Sequence, residues 1–476
     1  MRFVTQGLNK DNKKLIYSWL FYAVSSLIFA GIFAFLVAMA RTPVIQDILP
    51  GKNYIHVALV GHVILSVVIW FLAFQGVLWI LSSTELLNTQ IFNKTTGWVG
   101  FWFSVAGTIC IVITALFGLG TPLFINYIPV LTHPLFYTGL LLLAVGISVT
   151  LAVTFLSIWK SLRQKTYTGR FSIITFGMSM SAISVFFAII CFGLSYYFQV
   201  SGPKRDSLDF ESLFWGGGHI LQFANTIAMV TVWIFLTNLI FKTIPIKDGY
   251  GKALYIFYLF FVLPSPFLYF IYDTTTQEYR DAFTRLMQYG LGPSTGLFTI
   301  ALLVTIKSKG SENISKELIG FISKIKGLPW KDPAFSSLVI SMIVFTLGGI
   351  ISLTIYGSDT RIPSHYHGVI GGVTLAFMGL TNHILFVLKK DIYSKKIATL
   401  QPYIYGIGQT LFVIGMFLAG AHGVQRKTFG SAQNLDDISK IIGMSIVGLG
   451  GLIAIIGGIM FVTNSILSLI GYRKEA

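Results

Sequence analysis

Two histidines one residue apart, His365 and His367 in Ile362-Pro363-Ser364-His365-Tyr366-His367-Gly368, stand at the entrance of an apolar run that continues through Val373 to Gly379. A helix turns by about 100° per residue, so the two imidazoles project about 200° apart, on opposite sides of one rod at nearly one height. One helix can then serve two separate metal centres. A neutral imidazole in hydrocarbon is costly without a partner, and haem iron suits an imidazole well among apolar helices. Packing or hydrogen-bonded histidines are the plainer alternative.

The elements that must hold these side chains follow from composition. Of 476 residues, 54% are hydrophobic and only 11% charged, which excludes a soluble domain and makes this an integral membrane protein. Twelve apolar stretches are long enough to span a bilayer, near 15–40, 54–82, 98–118, 133–160, 171–199, 212–241, 253–272, 282–306, 334–357, 363–388, 402–424 and 437–471. The expected fold is an all-α membrane bundle of twelve transmembrane helices, with residues 1–476 as a single domain. The longest connection, Lys307–Lys331, is expected to carry a short amphipathic helix at Glu317–Ile325.

The net charge of +16 does not point to nucleic acid, because the basic residues follow topology: 24 of the 34 Lys and Arg residues fall on the segments of one side. By the positive-inside rule both termini are expected in the cytoplasm, in a prokaryotic-type cytoplasmic membrane, with lipid as the surrounding partner. The first apolar run is too long for a secretory signal and lacks a small-residue cleavage pattern. Cys110 and Cys191 lie inside apolar runs and read as packing residues.

With that topology, seven of the eight histidines collect toward the outer face: His56 and His62 open helix two, His133 opens four, His219 opens six, His365 and His367 open ten, and His422 closes eleven. His383 alone falls at the inner end and reads as structural. A shared layer points to a redox centre near one face. On helix two, His62 is the better ligand candidate, with Gly61 leaving room for a macrocycle, and His56 reads as interfacial. His219 follows Phe214-Trp215-Gly216-Gly217-Gly218, which has little side-chain bulk and permits close approach of a helix or a planar cofactor. His133, before Pro134, reads as a cap.

These residues resemble subunit I of the haem-copper oxidase superfamily, in particular its B-type branch. Ile362 to His367 with Val373 to Gly379 is similar to the family's helix-ten motif. Leu328-Pro329-Trp330-Lys331-Asp332-Pro333 is similar to its lead into helix nine, and Phe214-Trp215 with Gly218-His219 to its helix-six copper-ligand motif. The resemblance implies that His62 and His367 are the axial ligands of a six-coordinate low-spin haem and that His365 is the proximal ligand of a second, high-spin haem. It implies His219 as one distal metal ligand, and Arg426 and Lys427 as partners of haem propionates.

The sequence departs from the family at the distal site. The two further copper histidines, adjacent on helix seven, align with Leu268 and Tyr269, and the donor tyrosine of helix six aligns with Phe223. One histidine cannot supply the three nitrogen donors copper requires, so copper is not expected. A non-haem iron there would draw on Gln222, Tyr269 or Asp273, each of which also reads as a pocket or loop residue. The implied function is a terminal oxidase or nitric oxide reductase-like oxidoreductase, in which electrons from an outer-side donor pass through the low-spin haem to a high-spin haem that reduces a small gas, O2 or NO. No dicopper or c-type haem motif is present in this sequence, so the donor is expected to be a separate subunit or a cytochrome c. The alternative is a non-enzymatic haem-binding electron-transfer, sensing or assembly subunit on the same scaffold. A twelve-helix secondary transporter leaves the histidine layer unexplained.

Overall fold

The computed structural model describes residues 9–45, 52–164, 171–201, 208–312 and 327–472. Twelve helices within them are long and apolar enough to cross a membrane. They are α1 (Lys10–Met39), α2 (Tyr54–Leu87), α3 (Lys94–Leu116), α4 (Pro134–Arg163), α5 (Ile173–Val200), α6 (Phe210–Phe241), α7 (Asp248–Ile271), α8 (Gln277–Lys309), α9 (Pro333–Ser352), α10 (Arg361–Val387), α11 (Lys395–Ala421) and α12 (Ile438–Ile470). The amphipathic helix expected at Glu317–Ile325 lies outside the described residues.

Polar residues start most of these helices by accepting from the free amides of the first turn. Asn9, Asn93, Ser172, Asp209, Asp332, Ser394 and Asp437 do so for α1, α3, α5, α6, α9, α11 and α12. Ser394 explains why α11 begins seven residues before its apolar run: the cap sets the start, and Pro402 is carried inside the helix. Helix α6 is the most enclosed span, with 83% of its apolar window buried against 28% for α7. It therefore forms the interior post against which α5, α8, α9 and α10 pack.

Glycine lets three sequential pairs approach backbone to backbone. A methyl group on Gly107 would fall 2.6 Å from the amide nitrogen of Leu143, one on Gly348 2.6 Å from that of Val369, and one on Gly415 2.7 Å from that of Val447. These contacts join α3 to α4, α9 to α10 and α11 to α12. Helix α2 is not uniform. Just past His62 it widens into a π-helical turn, Ile64–Ile69, where the Trp70 amide reaches back to the Leu65 carbonyl. Above it His62 faces α1; below it Gln75 donates to Asn225 of α6 at 2.8 Å and accepts from Ser181 of α5 at 2.6 Å.

Two connections matter for the site. Residues 117–133, between α3 and α4, hold a two-stranded antiparallel pair, β1 (Pro122–Leu123) with β2 (Val130–Leu131). The α9–α10 and α11–α12 connections are pinned together by an isolated bridge between Asp359 and Gln425 and by Thr360 N–H donating to the Val424 carbonyl at 2.9 Å.

Candidate functional site

Helix α10 carries Pro363 in its first turn, where no intrahelical amide is needed, and presents its two histidines to different neighbours. His365 faces α9, and its Nδ1 lies 2.8 Å from the Gly348 carbonyl. A carbonyl only accepts, so Nδ1 carries the proton and Nε2 keeps its lone pair. The Gly348–Gly368 crossing makes this bond possible, because any side chain at either position would hold α9 away from α10.

His367 turns the other way, against the rings of Tyr366 (5.4 Å) and Phe412 (4.6 Å), within electrostatic reach of His62 and Arg41. His62 repeats the logic of His365: its Nδ1 lies 3.1 Å from the Ala30 carbonyl of α1, again leaving Nε2 with its lone pair. Arg41, at the end of α1, is buried beside these groups with Nε unpaired. Burial lowers its pKa, against an opposing effect of Tyr366. The room expected at Gly61 is used differently, because a methyl there would meet the Phe33 ring at 2.9 Å. Gly61 accommodates α1. His56 is held between Phe124 (5.0 Å) and Phe429 (4.4 Å).

This donor set fits haem. Two imidazoles are oriented through Nδ1 by backbone carbonyls, contacts that fix the tautomer and leave Nε2 with the lone pair an iron would need, and His367 lies close to one of them.

The third histidine is held differently. His219 Nδ1 donates to the Trp215 carbonyl one turn earlier at 2.7 Å, and Nε2 lies 2.9 Å from the Tyr127 hydroxyl, so both ring nitrogens have protein partners. The glycines before it are filled by aromatic rings. A methyl on Gly216, Gly217 or Gly218 would overlap Tyr269, Phe192 or Tyr127 respectively. At the other aligned positions Leu268 packs against the apolar core, the Tyr269 hydroxyl accepts from Tyr279 at 3.2 Å, and Phe223 is buried edge-on to Tyr258. Gln222 is half-buried. Asp273 caps its own turn, accepting from the amide of Thr275 at 2.8 Å and its hydroxyl at 2.6 Å. Among the described residues no group of three His, Cys, Asp or Glu side chains converges to hold a metal. Of the three aligned positions, His219, Leu268 and Tyr269, only the first carries an imidazole.

Arg426 and Lys427 lie over the α3–α4 connection. Arg426 donates to the Asn126 side chain at 3.1 Å, Asn126 donates twice to Glu211 (2.6 and 2.9 Å), and Lys427 donates to the Phe124 carbonyl. Among the described residues neither cation is within ion-pair distance of a carboxylate. Burial, reinforced by Arg426, pulls the Lys427 ammonium down to about 8, with Glu211 opposing. A cation so placed favours an anionic guest.

The remaining histidines make local contacts. His133 caps α4 by accepting from the Leu135 amide at 3.2 Å, His383 packs against Phe235 and Phe386, and His422 stands 3.9 Å from Asp437. Sequence reasoning missed Tyr127, Arg41 and Glu211. Arg41 had a visible signal as a charge directly abutting an apolar run, whereas Tyr127 had none.

The family described as Cytochrome C and Quinol oxidase polypeptide I matches residues 14–460, and the chain belongs to it. It is thus an integral membrane protein of a respiratory haem family. An uncharacterized protein of Rickettsia prowazekii is 28% identical to it, over 95% of each chain. The cytochrome c oxidase subunit 1 of Thermus thermophilus is 23% identical, over 81% of this chain and 71% of its own. The solved structure of a haem-copper terminal oxidase dimer superposes with a TM-score of 0.79 at 19% identity, covering 98% of this chain and 86% of that one. The twelve-helix fold is shared.

Proposed function

We propose that this chain, working as one membrane domain with both termini in the cytoplasm, is a redox subunit that carries electrons from a separate donor at its histidine face to a small gas, O2 or NO. The observation that carries the reading is the paired anchoring of His62 and His365 through Nδ1 to the carbonyls of Ala30 and Gly348. Haem, when bound, supplies the electron transfer and the open coordination position. The chain's own residues do the rest. His62 and His367 would hold the low-spin group, His365 the high-spin group, and Arg426 and Lys427 the carboxylates, while the surrounding apolar helices exclude water.

The second reading, a non-enzymatic electron-transfer, sensing or assembly subunit, is favoured by one specific observation: both nitrogens of His219 are already engaged. In either case no copper is assigned to the distal position, and among the described residues no group of three His, Cys, Asp or Glu side chains surrounds His219 to hold a non-haem iron.

Haem and metal quantification on the purified protein, with reduced-minus-oxidised spectra recorded with and without CO, tests both readings. Two haems per chain with about half perturbed by CO supports the redox reading, since only one of the two irons would have an open position. Absence of haem overturns both. One copper per chain with rapid water-forming oxygen consumption overturns the copper-free assignment.

A further inference from the structure

The imidazole of His219 is fixed from both sides. Its Nδ1 faces a carbonyl, which can only accept, so the Nε2 lone pair is the acceptor and the Tyr127 hydroxyl the donor at 2.9 Å. The position a metal would take on Nε2 is held by a phenolic proton.

Tyr127 is held there by several independent contacts. Its backbone is left-handed (φ 65°), a conformation unfavourable for a bulky residue that persists only when its surroundings impose it. The ring lies on Gly218, the one residue type that leaves it room, and stands edge-on to Trp215 with centroids 5.7 Å apart. The preceding residues are tied down in turn, Asn126 by Glu211 and Arg426, and the Phe124 carbonyl by Lys427.

We propose that Tyr127 is the resident partner of His219, a positioning residue that locks the imidazole as its neutral Nδ1–H tautomer and makes the distal position a phenol–imidazole pair in place of a metal centre. The pair is contributed by the α3–α4 connection and α6, and it links the distal position to the Arg426–Lys427 cations through residues 124–127. It concerns contacts within the chain alone and stands apart from haem binding.

The test is nitrogen-15 NMR of histidine-labelled, full-length protein in lipid bilayers. His219→Gln identifies the resonance by its loss. In the wild type the imidazole should show a protonated Nδ1 and a hydrogen-bonded Nε2, both unmoved by one equivalent of copper(I). In Tyr127→Phe, which keeps the ring on Gly218, Nε2 should shift to the position of a free lone pair while Nδ1 stays protonated. Should that variant not accumulate, fluorotyrosine incorporated throughout the wild-type chain must move the same Nε2 resonance, because a more acidic phenol is a stronger donor. Binding of copper at one per chain with a shift of the His219 nitrogens, or an Nε2 indifferent to the phenol, overturns the assignment.

Discussion

A methyl group on Gly368 would sit 2.5 Å from the α carbon of Gly348, so α9 and α10 meet there without side chains between them, one turn from the His365–Gly348 hydrogen bond. Overpacking a close crossing costs about 1–3 kcal/mol, and here it also lengthens a bond that orients a ligand. We expect Gly368→Ala to lower thermal stability by an amount of this order and to diminish the CO-induced spectral change. Gly349→Ala, whose methyl would meet nothing within 4 Å, should leave both measurements unaltered.

The low-spin assignment rests on two residues from different helices. His62→Ala and His367→Ala should each abolish the bis-imidazole spectrum, measured as the reduced-minus-oxidised difference of the purified protein. His56→Ala should retain it, since that ring is occupied by Phe124 and Phe429. An unchanged spectrum in His62→Ala would sink the assignment.

His365 has a separable role. We expect His365→Ala to keep the low-spin signature and lose the CO response, with haem content falling to about half because only one of the two irons depends on this ligand. Loss of both signals together, in a variant that is still folded, would show that the two histidines of α10 do not address separate sites.

Lys427 supplies a pH dependence with a definite sign. Its ammonium is lowered from an ordinary 10.5 to about 8, so between those values the unfolded chain holds more protons and stability from this group rises with pH. An anion beside it reverses the preference, because the charged form is then wanted. Retention of a carboxylate-bearing group should therefore weaken as pH rises through about 8. We expect Lys427→Met to bind haem more weakly at neutral pH and to lose that pH dependence, read by haem content after gel filtration across the range.

The sequence made the bundle legible because apolar runs of spanning length have few other uses, and the described helices fall on all twelve runs. Boundaries were read less well where polar residues are helical, as at Lys395 and Lys396, which belong to α11 because Ser394 caps it. The histidines of α10 were legible as a pair with opposite directions, because helical periodicity alone sets their angle. Gly61 was misread because an empty position does not reveal which neighbour fills it, and here it is Phe33. Tyr127 could not be found at all: its role depends on a left-handed backbone in a connection and on a partner 92 residues away.

The π turn at Ile64–Ile69 makes α2 a joint between two differently phased rods. An extra residue in one turn rotates everything beyond it by about 100°, the angular equivalent of an insertion accommodated without a bulge in the apolar pattern. His62 is thereby aimed at α1 while Gln75 reaches α5 and α6. Removing one residue from this segment would leave composition and span length almost untouched, yet no rotation of the helix could then satisfy both ends. The expected outcome is a chain that either keeps its buried Gln75 network and misdirects His62, or the reverse. In aligned relatives with a regular helix here, a single-residue gap belongs inside 64–69.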